Sequence, residues 1–152
     1  MNKTEVLKTI GSFLKETLQL KQKGKYWYSD NGFAKLLFYV ESTRFMEGFY
    51  IRVGIHYNDL SAAADIRKFP TIHDWHLAAN IGYIIQNRPI LVDYDISNEA
   101  LNEIFGKIRD IVVPFGEKWR SKEYLRSYPD QSPWQQRLSK ETLTNFIDTL
   151  RG

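Results

Sequence analysis

The chain has 152 residues, of which 43% are hydrophobic and 26% charged, so one domain over 1–152 can bury a sizeable core. It contains no cysteine, which excludes disulfides, thiolate nucleophiles and cysteine-based zinc sites and fits a reducing compartment. No run of 18 apolar residues occurs, and lysines interrupt the apolar N-terminus. We therefore expect a soluble cytoplasmic protein without a membrane partner.

The formal net charge of +3 is unevenly distributed. Residues 1–28 carry six lysines and two glutamates, whereas 53–103 carry three basic and seven acidic side chains. A mixed, solvated surface explains this in most proteins. The sharper interpretation is an acidic middle segment that faces a cationic partner.

The first predicted element is an amphipathic helix. Its apolar residues recur at helical spacing: Val6, Leu7, Ile10, Phe13, Leu14 and Leu18. Asn2 is placed to cap this helix, with Glu5 as its reciprocal partner. We expect Gly24 to end the helical stretch, because the apolar period changes to two after it.

Alternating residues then predict an antiparallel meander. The segment "KYWYSDNGFAKLLFYVES" forms a hairpin around Asp30-Asn31-Gly32, whose residues tolerate positive φ. The next strand, "FYIRVGIHY" at 49–57, has one apolar side and one mixed side. Alternation over 75–85 favours a fourth strand, although Ala78–Asn80 also suits a helix, and "ILVDYD" predicts a short edge strand.

Helical spacing returns from Ser97 onward, with an apolar stripe of Leu101, Ile104, Phe105, Ile108, Ile111 and Val112. Pro114 and Gly116 are expected to end or kink this helix, and "SKEYLRSY" predicts a short helical turn. A last helix is predicted to open at Ser132 and Pro133, with Gln135 as capping partner and an apolar stripe from Leu138 onward. The fold class is α+β: a three- or four-stranded antiparallel meander sheet, with the N-terminal and C-terminal helices packed on one face.

Three stretches resemble a bacterial family known only as a domain of unknown function: "LKQKGKYWYSDNGFAKLLFYVES", "FYIRVGIHY" and "IVVPFGEKWRSKEYL". The resemblance covers roughly residues 5–127 in element order. Members often carry a glutamine near position 40, where this chain has valine. The resemblance implies no catalytic residues, and some similar proteins look like immunity partners of bacterial toxins.

Catalytic and metal-binding motifs are weak. The three histidines are His56, His73 and His76, and positions three apart on a strand face opposite sides, which disfavours a metal site. No nucleophile elbow and no phosphate loop is present. We therefore predict no enzyme activity, no metal and no cofactor; the alternative is a hydrolase that uses His56 or His76 with an aspartate.

Lysines beside aromatic residues raise a third hypothesis, a single-stranded nucleic-acid-binding module. One cluster is Lys21, Lys23 and Lys25 followed by Tyr26, Trp27 and Tyr28; the other surrounds Trp119 with Lys118, Arg120, Lys122 and Arg126. Because 53–103 is net acidic and the basic excess is small, a nucleic-acid partner is disfavoured.

Protein binding is the favoured function. Tyrosine and arginine are enriched at protein-interface hot spots, and an immunity-type toxin inhibitor needs a stable scaffold, a charged rim and buried aromatic anchors rather than chemistry. The predicted partner-binding residues lie on the mixed side of strand 49–57 and in the acidic middle: Tyr50, Arg52, His56, Trp75, Asp93, Tyr94, Asp95 and Glu99.

Overall fold

The chain has the predicted α+β fold, a sheet with helices packed on one face. The structure is a computed structural model and describes residues 1–42, 44–60, 69–127, 129–130, 132, 134–136 and 140–152. The helices are α1 (Lys3–Ser12), α2 (Ile81–Ile85), α3 (Asn98–Lys107), α4 (Val113–Trp119), α5 (Lys122–Leu125) and α6 (Lys140–Arg151). The strands are β1 (Lys21–Lys23), β2 (Tyr26–Asp30), β3 (Ala34–Glu41), β4 (Gly48–Tyr57), β5 (Leu77–Asn80), β6 (Leu91–Asp93) and β7 (Gln135–Gln136).

The sheet is antiparallel and larger than the predicted three or four strands. Its order is β1-β2-β3-β4-β5-β7, and β6 also pairs with β4. β5 pairs with residues 52–55 of β4, and β6 pairs with residues 48–50 of the same strand. Because β3 occupies the other edge of β4, β5 and β6 lie end to end along one edge.

The hairpin between β2 and β3 confirms the predicted turn. Gly32 has a φ of +88°, and its N–H donates to Asp30 Oδ1 over 2.8 Å. The N–H of Ala34 donates to Asn31 Oδ1 over 2.9 Å. The short side chains of the turn thus satisfy the backbone donors that the reversal leaves unpaired.

The first helix begins as predicted but ends earlier. The N–H of Glu5 donates to Asn2 Oδ1 over 2.9 Å. After α1 the helix continues as a π-helical turn over Phe13–Thr17 and stops. Gly24 instead occupies the tight β1–β2 turn with a φ of +61°, because Lys21–Lys23 pairs with β2 as a strand.

The predicted strand over 75–85 is wrong beyond Asn80, where α2 begins. The Asn80 side chain is buried and accepts the N–H of Gly82 over 2.8 Å and that of Ile90 over 3.0 Å. It thereby caps α2 and holds together the two ends of the segment 81–90, which leaves the edge of the sheet between β5 and β6. β6 then pairs with the same edge of β4 as β5 does, which confirms the short edge strand predicted at "ILVDYD".

The predicted helix from Ser97 continues through Pro114. A π-helical turn over Ile108–Val112 joins α3 to α4, and the N–H of Val113 donates to the carbonyl of Ile108, five residues back. The hydrogen-bond ladder is therefore already displaced where Pro114 lacks a donor, so the proline is tolerated. The extra residue in this turn moves Ile111 out of the predicted apolar stripe, and it is 40% exposed.

The C-terminal tail differs from the prediction. Gln135 and Gln136 pair with β5 as a strand, so the helix predicted to open at Ser132 is wrong there, and α6 begins at Lys140. Pro133 and Leu138 lie outside the described residues. The predicted apolar stripe holds within α6, where Leu143, Phe146 and Ile147 are buried.

The first face of the sheet carries the main core. Helix residues such as Ile10, Leu101 and Leu143 pack with strand residues such as Phe38 and Val53. This confirms that the N-terminal and C-terminal helices share one face. The second face carries a smaller cluster of Leu37, Trp75 and Ala78.

A buried arginine connects the β2–β3 hairpin to the end of α4. Arg120 is 6% exposed and donates to the carbonyl of Ala34 over 3.2 Å, to Ser29 Oγ over 2.9 Å and to Glu117 Oε1 over 2.7 Å. Asn31 Nδ2 in turn donates to the Arg120 carbonyl over 3.2 Å. The side chain therefore connects strands and helix by hydrogen bonds that no apolar residue can replace.

Arg120→Met should lower the free energy of unfolding by about 1–3 kcal/mol, because it removes the buried guanidinium that donates to the Ala34 carbonyl and to Ser29 Oγ. Denaturant unfolding measures this loss. Arg109→Met is the matched control, since Arg109 pairs with Asp110 at the surface and its loss should leave the free energy of unfolding nearly unchanged. Equal losses in the two variants would contradict the assignment.

Candidate functional site

Strand alternation places Tyr50, Arg52, Gly54 and His56 on the second face of β4, as predicted. Their neighbours on β3 are Glu41, Tyr39, Leu37 and Lys35. Tyr50 and Arg52 are half-buried, whereas His56 is 7% exposed. This face is therefore divided into a covered end and an open end.

Trp75 covers one end of the face. It is 1% exposed and lies against Gly54, where an added Cβ would be 2.1 Å from Trp75 Cε3. Only glycine leaves room for the indole at this position. Trp75, a predicted partner contact, is therefore buried against the sheet and is not exposed to a partner.

Two tyrosines of β2 hold the segment that carries Trp75. The Tyr26 hydroxyl accepts the N–H of Ile72 over 3.0 Å, and the Tyr26 ring packs edge-to-face on Trp75 at 6.0 Å. Tyr28 packs edge-to-face on Phe69 at 4.9 Å. These rings are occupied by intramolecular packing.

The open end carries aromatic, cationic and aliphatic groups side by side. Tyr39 lies opposite Arg52 in the strand register, and Tyr50 lies opposite Leu91 of β6. The Arg52 guanidinium pairs with Glu41 and lies 5.9 Å from the centroid of the Tyr50 ring. Burial, followed by the nearby Tyr26 and Glu41, raises the pKa of Tyr39, so this hydroxyl stays neutral and can donate a hydrogen bond.

Two exposed apolar side chains lie at the same end. Phe45 is 82% exposed in the turn that joins β3 to β4, and Leu91 is 41% exposed on β6. The Arg44 guanidinium lies 4.7 Å from the centroid of the Phe45 ring. We refer to Tyr39, Phe45, Tyr50, Arg52 and Leu91 together as the open patch. Large apolar groups exposed beside tyrosine and arginine are typical of interaction surfaces.

The predicted acidic residues are not all on this face. Asp93 follows Leu91 on the same side of β6 and is exposed. Asp95 lies in the turn after β6, and Glu99 lies in the first turn of α3, which belongs to the helical layer. Of the three, only Asp93 directly extends the open patch.

Tyr94, the predicted anchor, faces the helical side. Its ring packs edge-to-face on the core residue Phe49 at 5.0 Å, and its hydroxyl bonds to Ser42 Oγ. The Lys3 ammonium lies 5.3 Å from the ring centroid. Tyr94 therefore fixes the β6 edge to the core.

His56 and His76 form a buried stacked pair beside Trp75. Their ring centroids are 4.6 Å apart, and His76 Nδ1 accepts the N–H of Tyr57 over 2.8 Å. Burial, with a smaller effect of His56, lowers the pKa of His76 to about 4. Burial and the nearby Lys35 lower the pKa of His56. Both rings are thus neutral at pH 7 and serve the packing of this end of the sheet.

The described residues offer little support for a hydrolase. Among their hydrogen bonds, none joins His56 or His76 to a carboxylate, and His56 Nδ1 is buried without a partner. Nowhere in the described part of the chain do three or more histidine, aspartate or glutamate side chains converge as metal ligands would. The absence of enzyme activity stays a prediction.

The tryptophans of the two basic clusters are not available for base stacking. Trp27 is 5% exposed and Trp119 is fully buried. Arg120 is also buried and engaged with the hairpin. The lysines of these clusters and Arg126 are exposed.

Sequence reasoning did not identify Phe45 or Leu91. The only signal for Phe45 is an aromatic residue in a polar turn, between Arg44 and Glu47. The signal for Leu91 is its alternation with the buried Val92, which turns Leu91 to the second face. Neither could be recognised before the exposure of the two side chains was known.

No family model, curated protein or solved structure matches the chain. Among the described helices, none combines the length and the apolar character needed to cross a bilayer. The open patch is therefore interpreted from its own chemistry.

Proposed function

We propose that this chain binds another protein through the open patch, as an immunity-type inhibitor of a bacterial toxin. The observation that carries the proposal is the exposed Phe45 in the β3–β4 turn, at the end of the sheet that carries the half-buried Tyr50 and Arg52. Groups of this kind at the centre of an interface account for most of the binding free energy. The toxin class is suggested only by the resemblance of the strand and helix motifs to a bacterial family with immunity-like members.

The sheet beneath the patch supports this function. Tyr39, Tyr50 and Arg52 project from strands whose opposite side is the main core, so their backbones are held rigidly. Rigid anchors lose little conformational entropy on association, which favours tight binding. Asp93 adds a negative charge next to Leu91, where it can attract a cationic partner.

Phe45→Ala combined with Tyr50→Ala should weaken binding to the toxin by at least about thirtyfold, or about 2 kcal/mol. The candidate partner is the protein encoded beside the gene of this chain, and calorimetry measures the affinity. Ile111→Ala is the control, because it removes an exposed apolar side chain from the helical layer, away from the open patch. The free energy of unfolding should change little in either variant.

Charge reversal tests the contribution of Asp93, at the border of the open patch, to the same complex. Asp93→Lys should slow association and reduce its dependence on salt, whereas the Phe45 and Tyr50 changes should mainly speed dissociation. Co-expression supplies the functional test, since the wild-type chain should restore growth to cells that produce the toxin and the double variant should not. Full rescue by the double variant, or no complex with the wild-type chain, would overturn the proposal.

A further inference from the structure

A groove of about 390 Å³ lies between α1 with its π-helical turn and the β1–β2 hairpin. It is remote from the open patch, because Gln22 and Trp27 are opposite each other on the helical side of the sheet. Its walls include Leu7, Lys8, Gly11, Lys15, Lys25 and Trp27. This volume is in the lower range of pockets that hold small molecules.

The rim of the groove is cationic. Lys8, Lys15 and Lys25 are exposed, and none of them forms an ion pair with a described residue. Glu16 is the single acidic wall residue, so the rim carries a net charge of +2. Ammonium groups converging from a helix and a hairpin favour a ligand group with more than one negative charge.

The floor of the groove has an open position and a buried donor. Gly11 lies within α1, where glycine is less favourable than alanine, and an added Cβ would be 3.3 Å from Trp27 Cζ2. Trp27 is 5% exposed, and its Nε1 is buried without a hydrogen-bond partner among the described residues. The other three tryptophans also have unpartnered Nε1 atoms, but Trp27 is the one placed in this groove.

The helix is irregular at the same place. The π-helical turn over Phe13–Thr17 includes Lys15 and Glu16 of the groove wall. Turns of this type are rare and often occur at functional sites. One surface therefore carries the π-helical turn, a glycine within the helix and lysines that form no ion pair with a described residue.

We propose that this groove binds a phosphate monoester that carries a small apolar group. The lysines Lys8, Lys15 and Lys25 hold the phosphate dianion, which matches their number and sign better than a single carboxylate does. The apolar group lies toward Leu7 and the exposed edge of Trp27. The ester is either a free metabolite or the headgroup of a lipid.

The test is a titration of the isotope-labelled full chain by nuclear magnetic resonance. Phenyl phosphate should shift the Trp27 indole resonance and the amides of 8–16 and 22–27 with saturation, and more tightly than inorganic phosphate does. Trp27→Phe assigns the indole resonance. Vesicles that contain phosphatidic acid form the second arm, which distinguishes a lipid headgroup from a free ester.

Two pairs of lysine variants distinguish binding in the groove from nonspecific attraction of the anion to the basic protein. Lys8→Gln with Lys15→Gln should raise the Kd for phenyl phosphate at least tenfold, whereas Lys107→Gln with Lys118→Gln removes two exposed charges elsewhere and should change it less than twofold. Gly11→Ala keeps every charge and should also weaken binding, because it narrows the floor. Binding to vesicles alone, lost in the Lys8 and Lys15 variant, would assign the site to a headgroup. Equal effects of the two lysine pairs, or no binding in either arm, would overturn the proposal.

Discussion

Trp75→Ala should lower the free energy of unfolding by about 3–5 kcal/mol, because the indole is almost fully buried and its removal leaves a cavity on the second face of the sheet. Gly54→Ala should cost about 1–3 kcal/mol, since the new Cβ would be 2.1 Å from Trp75 Cε3 and 2.7 Å from the Leu77 carbonyl oxygen. Denaturant unfolding at pH 7 measures both losses.

The two residues are in contact, so their effects should not add. Gly54→Ala should cost less in the Trp75→Ala background, where only the Leu77 carbonyl remains in the way. Gly106→Ala is the control, because a Cβ there meets nothing closer than 3.9 Å and alanine is the better helix former. The same cost for Gly54→Ala in both backgrounds would contradict the proposed contact.

Acid should destabilise the protein through the stacked histidines. Burial holds the pKa of His76 at about 4, below its usual value of 6.5, so the unfolded chain binds more protons between these pH values. The contribution of His76 is fully present above about pH 6.5 and is lost as the pH falls to 4. Its slope is at most about 1.4 kcal/mol per pH unit, and the total loss is at most about 3 kcal/mol. The lowered pKa of His56 adds in the same direction.

His76→Asn should flatten this profile, since the amide oxygen can still accept the Tyr57 N–H but does not titrate in this range. Urea unfolding at half-unit intervals from pH 7 to 4 measures the slope for each variant. His73→Asn is the control, because His73 lies exposed on the same segment. An unchanged slope in His76→Asn would show that the acid sensitivity arises elsewhere.

The elements that could be predicted from the sequence are those with local causes. The Asn2 cap and the Asp30-Asn31-Gly32 turn depend on hydrogen bonds within three residues, and both are present. The incorrect predictions concern residues whose secondary structure depends on a hydrogen-bond partner that is distant in the sequence. Asn80 ends a strand because its side chain bonds to Ile90, ten residues later, and Gln135 joins a strand because β5 offers an unpaired edge.

The candidate site was predictable only in part, for a related reason. The alternation of β4 correctly placed Tyr50 and Arg52 on one face. It could not show that Trp75 would cover Gly54 or that His76 would stack on His56, because both depend on how the segment before β5 folds back. Phe45 and Leu91 became candidates only through their exposure, which sequence alone does not report.

The Arg120 connection has a consequence for the order of folding. The turn it secures is encoded locally, yet its bonds to Ala34 and Ser29 join residues separated by 86 and 91 positions. Contacts of such separation close long loops and form late, because the loop entropy is lost before the contact contributes. During synthesis the hairpin therefore acquires these bonds only after residue 120 has left the ribosome, and until then the growing chain exposes one side of its earliest sheet.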